Sequence, residues 1–71
     1  MSKTIELSTG VKVEMREPKV KDMLNVDNEA SQAKKEVMLI ANLCTMTPAE
    51  VGDLSIKDYG LLQKGMSDFL S

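Results

Sequence analysis

Two groups of residues in this sequence could do chemistry, and each falls short of a working site. Cys44 is the only cysteine, and the chain contains no histidine. A thiol nucleophile needs a neighbouring base or cation to hold it as thiolate. Cys44 stands instead on an apolar helical stripe, so it reads as a buried structural thiol. Asp22, Asp27 and Glu29 lie close together but lack the glycine and the ligand spacing of a calcium loop. They read as solvated helix ends. A structural zinc needs a cluster of Cys, His or carboxylate ligands, and a phosphate loop needs a glycine-rich turn; neither pattern occurs. No catalytic, cofactor-binding or metal-binding residue is expected, and the chain reads as a non-enzyme.

The six methionines say more. Met15, Met23, Met38, Met46 and Met66 fall inside expected helices, strands or their corner. Methionine fills irregular core gaps and is over-used on surfaces that accept varied partners. Core filling is the commoner of the two uses.

These residues must be positioned by a small fold. A chain of 71 residues is expected to form one domain, 1–71, burying only about 60% of the surface its unfolded form exposes. Cores of this size rarely supply more than roughly 3–5 kcal/mol, and disulfides, metals or partners usually make up the difference. One cysteine and no histidine leave oligomerisation or a partner protein. Net charge is −2 and the nine basic residues are scattered, with a single Arg, one Tyr and one Phe. A nucleic-acid binder would cluster its bases and interleave aromatics, so nucleic acid is not an expected partner. No apolar run approaches the length that spans a bilayer, and the N-terminus lacks the apolar centre of a signal peptide. The expectation is a cytoplasmic protein with no membrane partner and a reduced thiol.

Two stretches alternate with period two, Lys3 to Ser8 and Val11 to Arg16, which predicts a β-hairpin over 3–16. A two-residue turn at Thr9-Gly10 would set Leu7 against Lys12 and split the apolar face. A three-residue loop, Ser8-Thr9-Gly10, pairs Leu7 with Val11 and Ile5 with Val13, and puts Gly10 at the left-handed position. The second register is the expected one. Pro18 then ends the hairpin. Val20, Met23 and Leu24 at i, i+3 and i+4 predict a short helix over about 19–26, with a break at 25–28. The strongest helical periodicity covers 29–44, with Ala30, Ala33, Val37, Ile40, Ala41 and Cys44 in one stripe that Leu39 and Leu43 widen.

The corner 45–54 links this helix to the last one. Thr47, Pro48 and Glu50 spell a capping box with Pro at the first helical position, predicting a helix over 48–53. Ser55 starts a final helix over 56–70 with Tyr59, Leu62, Met66, Phe69 and Leu70 on one face. Gly60 and Gly65 each weaken it by roughly 1 kcal/mol relative to Ala, or else admit a close approach to the long helix. The expected fold is α+β and mostly helical, an N-terminal hairpin packed on three to four helices. Ile5, Val13, Val37, Ile40, Leu62 and Phe69 are expected in its core.

The second half of the long helix is apolar nearly all round, and a chain this short has little to cover it with. Part of that surface is therefore expected to bind a partner or a second copy, through a patch drawn from Met23, Leu24, Met38, Leu39 and Leu43.

The order of these features resembles a known family. A hairpin ending in Met15-Arg16-Glu17-Pro18, then a helix with Asp22-Met23-Leu24, is similar to the opening of small phage proteins whose strand ends in Leu-Arg-Glu-Pro or a variant. The later run Leu43-Cys44-Thr45-Met46-Thr47-Pro48-Ala49-Glu50-Val51, with Leu54, Asp58-Tyr59 and the closing Asp68-Phe69-Leu70, resembles the tail assembly chaperones of long-tailed bacteriophages, in particular contractile-tailed and Mu-like ones. The resemblance runs from Lys3 to Leu70, and it rests on the order and spacing of motifs that are individually common. It implies a cofactor-free protein of the host cytoplasm that binds the tape measure protein and keeps it soluble while tail-tube subunits assemble around it. It also implies the tail-tube protein as a further contact, and departure before the virion is complete. A homo-oligomer is expected. The contrasting reading is a small non-enzymatic adaptor or regulatory module acting as a helical oligomer on another protein; gene position beside tail-tube and tape-measure genes separates the two.

Overall fold

The structure, a computed structural model, describes residues 2–70. Two antiparallel strands, β1 (Ser2–Glu6) and β2 (Lys12–Arg16), are followed by four helices, α1 (Val20–Asn25), α2 (Gln32–Cys44), α3 (Pro48–Gly52) and α4 (Ile56–Leu70). The fold is α+β and mostly helical, as the periodicity requires.

In the hairpin Ile5 faces Val13 and Lys3 faces Met15. The loop closes through the Leu7 N–H to the Val11 carbonyl at 2.8 Å and the Gly10 N–H to the Leu7 carbonyl at 2.9 Å. Gly10 adopts φ 89°, the left-handed conformation that a three-residue loop demands and a side chain resists. The three-residue register therefore holds.

The hairpin lays its apolar face on α2 and α4. Leu7, Val13, Met15, Ile40, Leu43, Cys44 and Leu62 form the buried cluster, with Ile5, Leu39, Met46, Tyr59, Met66 and Phe69 partly covered around it. Val13, Ile40 and Leu62 are buried as expected, while Ile5, Val37 and Phe69 are only half-buried. Ile5 and Phe69 sit at the rim where β1 meets α4, and Val37 lies where α2 begins to emerge from the core.

Helix starts follow local capping more than hydrophobic spacing. The long helix begins at Gln32 and not at 29, because Ser31 accepts the Lys34 N–H at 3.3 Å and so caps it. Ala30 consequently lies outside the helix and is exposed. At α3 both halves of the capping box are present: Thr47 Oγ1 accepts the Glu50 N–H at 3.1 Å, and Glu50 Oε1 accepts the Thr47 N–H at 2.9 Å. Between α2 and α3 the chain reverses through Thr45, which takes φ 56°. A β-branched residue is strained there.

Of the two glycines in α4, only Gly65 makes a close approach. A Cβ at Gly65 would come within 2.5 Å of Ile5 Cδ1, so the glycine admits the hairpin and not the long helix. Gly60 has nothing within 4 Å.

Candidate functional site

Among the described residues two carboxylates are buried, Asp22 and Asp58. Asp22 is not a solvated helix end. Its Oδ2 accepts from Arg16 Nη1 at 2.8 Å and its Oδ1 from Arg16 Nη2 at 2.5 Å, a two-pronged ion pair across the Glu17-Pro18 bend. The same carboxylate accepts the Lys19 N–H at 2.8 Å. Arg16 holds the Asp22 carboxyl at about 2, against an ordinary 3.8, and Asp22 in turn raises Arg16. Asp58 is held by different partners. Its Oδ1 accepts the Ser8 N–H at 2.9 Å, tying the hairpin loop to the first turn of α4, and that bond lowers its pKa.

Neither carboxylate is poised for proton transfer, since both are occupied in bonds that hold elements together. Burial pushes the Cys44 thiol up to about 11, so it is protonated at neutral pH. Burial, reinforced by the Glu36 carboxylate that accepts from Tyr59 Oη at 2.6 Å, pushes Tyr59 well above its ordinary value. Gln63 Nε2 donates to the same Glu36 oxygen at 2.7 Å, pinning α4 to α2. Among the described residues no group of His, Cys, Asp or Glu is arranged to hold a metal ion, and no helix is long and apolar enough to cross a membrane.

What the surface offers is apolar. Val20, Met23 and Leu24 on α1 are 73%, 63% and 67% exposed. Their i, i+3, i+4 spacing ordinarily marks a face turned to the core. Here Asp22 occupies the inward side, clamped by Arg16, and the apolar ridge turns outward. Val26, just beyond α1, is buried and anchors the turn that follows. The ridge borders two hollows that share Val20, Met23 and Leu39: one of about 250 Å³ running on to Leu24, Val26, Asp27 and Lys35, the other of about 280 Å³ reaching Pro18, Lys19 and Leu70. Leu70, at the end of α4, is thus on this surface and not on the core.

The five patch residues expected from the sequence divide three ways. Met23, Leu24 and Leu39 come together on the α1 side of α2. Met38 lies on the opposite side, in a separate groove between α2 and α3. Leu43 is fully buried in the core and belongs to no surface. That is a correction with a plain cause: a helix apolar all round does not reveal which side the hairpin will take. Val20 and Leu70 join the surface although the sequence reading placed them in helical faces; the signal available was only that α1 is too short to bury its own ridge.

A hairpin on four helices, with an apolar ridge uncovered along α1, makes a small, mostly helical α+β fold. The chain belongs to the family described as phage tail assembly chaperone proteins, E, or 41 or 14, whose model matches residues 4–71. No curated protein and no solved structure gives a significant match to it.

Proposed function

We propose that this chain binds the tape measure protein of a phage tail in the bacterial cytoplasm and keeps it soluble until the tube is built around it. The observation that carries the reading is the outward ridge of Val20, Met23 and Leu24, continuous through Leu39 with Leu70. Exposed contiguous apolar surface of this kind marks an interaction site. Its shape, a helix edge bordered by shallow apolar hollows, suits an amphipathic helix laid along it. Its role is to hold a client and not to catalyse, and it leaves before the virion is complete. The tail-tube protein is a further partner, met as assembly displaces the chaperone.

Asp27, Lys35 and Lys19 stand at the edges of the ridge with mixed sign. Binding is therefore driven by apolar area and survives moderate salt. Covering one large apolar side chain contributes about 1.5–3 kcal/mol, so replacing Met23 or Leu24 with Glu lowers client affinity by about tenfold or more. The experiment is co-expression of a tape-measure segment with the parent, Met23→Glu and Leu24→Glu, after circular dichroism has established an unchanged fold. The client is expected to move to the insoluble fraction with either variant. A folded variant that keeps the client as soluble as the parent does removes α1 from the site.

A further inference from the structure

A second apolar surface lies on the other side of α2. Ala33, Lys34, Val37, Met38, Pro48 and Ala49 line a groove of about 550 Å³ between α2 and α3, with Lys34 its only charged wall. Val37 also lines the adjoining hollow, which is bordered by Ile56. Ile56 is the most exposed large hydrophobic residue among those described, at 88%. An unfilled apolar hole and an uncovered apolar knob therefore share one face.

We propose that this face is where a second copy of the chain docks, as a two-fold dimer in which Ile56 of each copy enters the α2–α3 groove of the other. A two-fold interface uses the same patch on both subunits and so must be self-complementary, carrying its own knob and its own hole. The groove and Ile56, joined through Val37, give this face both halves of such a contact. Charge agrees with a like partner. The exposed charges nearest in sequence to the residues lining this face are Lys34 and Lys57 against Glu50 and Asp53. They sum to zero, and the net −2 of the whole chain lies elsewhere. Two copies meet here without net repulsion, each offering both signs to the other. Chain size points the same way, since a core this small, without a disulfide, ordinarily gains stability from association.

Along α2, Ala33 and Val37 lie roughly half a turn from Lys35 and Leu39. The dimer accordingly leaves the α1 ridge of each copy open, and one dimer presents two such ridges. The dimer itself does not depend on what the ridges hold.

Sedimentation equilibrium of the full chain at about 100 μM, a hundredfold above a micromolar Kd, tests this. The parent is expected at twice the chain mass of 7.8 kDa. Ile56→Glu places an acid in the first turn of α4, where the helix dipole favours it, so the fold is retained, and the dimer is expected to weaken by about tenfold or more. Ala49→Arg, which fills the groove from an exposed position, is expected to do the same, and Met23→Glu to leave the dimer intact. A parent at the mass of one chain overturns the proposal. So does an assembly that both Ile56→Glu and Ala49→Arg leave unchanged. Dissociation by Met23→Glu instead would put the α1 ridge in a head-to-tail contact and overturn the two-fold arrangement, whatever the client assay shows.

Discussion

The two buried carboxylates sit at opposite ends of the hairpin and do opposite things for the elements they hold. Asp58 joins the loop at Ser8 to α4, whose own apolar side, with Leu62, already lies in the core. That polar tie reinforces packing that exists without it. Asp22 joins the end of β2 at Arg16 to α1, whose three apolar residues all face water. There the ion pair, with Val26 behind it, replaces apolar packing as the anchor. A helix held by its polar side is free to present its apolar side. The contrast separates an element whose apolar side is packed in the core from one whose apolar side is left to solvent.

The largest test of that contrast is a pair of leucine truncations. Leu43→Ala, at a fully buried position, is expected to cost about 3 kcal/mol in urea unfolding. Leu24→Ala is expected to change stability by less than about 0.5 kcal/mol while weakening client binding. Equal losses of stability would mean that the ridge packs in solution after all.

Next comes the clamp. Asp22→Ala removes charge-assisted bonds to a partly exposed Arg16 and is expected to cost about 2 kcal/mol, with client binding reduced as well because α1 loses its seat. Asp58→Ala should lower the melting temperature and leave client binding per folded molecule unchanged. If both variants bind alike, the two anchors are equivalent and the comparison fails. Acid should report the clamp too. Asp22 sits at about 2 in the folded chain against 3.8 ordinarily. Its contribution is thus present above about 4 and is lost as pH falls through about 2, because the unfolded chain takes up the proton first. Asp58 is shifted in the same direction. In the Asp22→Asn variant the fall in stability across that window should be visibly shallower; an unchanged profile would mean the pair contributes nothing.

Smaller effects concern the helices that frame these regions. Thr47→Ala deletes one half of an observed capping box and is expected to cost about 1 kcal/mol, with saturated client binding intact. Binding lost without stability would make that corner a recognition site. Gly60→Ala, with nothing within 4 Å of the added methyl, is expected to stabilise by about 0.5–1 kcal/mol, and any loss measured by thermal unfolding would contradict the open space seen there.

What the sequence made legible was whatever local chemistry decides. Alternation and a glycine at the end of a three-residue loop define the hairpin register, and Thr47, Pro48 and Glu50 define the start of α3. What it hid was decided by convergence. Arg16 and Asp22 are six residues apart with a proline between them, and nothing in their spacing says that the bend brings them into a clamp. That one pairing turns Asp22 inward, against its reading as a solvated helix end, and leaves the outer side of α1 to Val20, Met23 and Leu24. Leu43 reads as surface for a related reason: periodicity identifies an apolar helix but not which of its sides the hairpin, α1 and α3 will claim. Gly65 could be seen as a close-approach residue, yet only the fold shows that the approaching group is Ile5.

α1 is the surface proposed to meet a client. Amide hydrogen exchange on the full chain, alone and with a helical tape-measure segment, tests this most directly. New protection is expected at residues 20–26 and the end of α4, with the α2–α3 groove unchanged. Protection confined to α3 and the start of α2, with α1 exchanging as in the free chain, would contradict it.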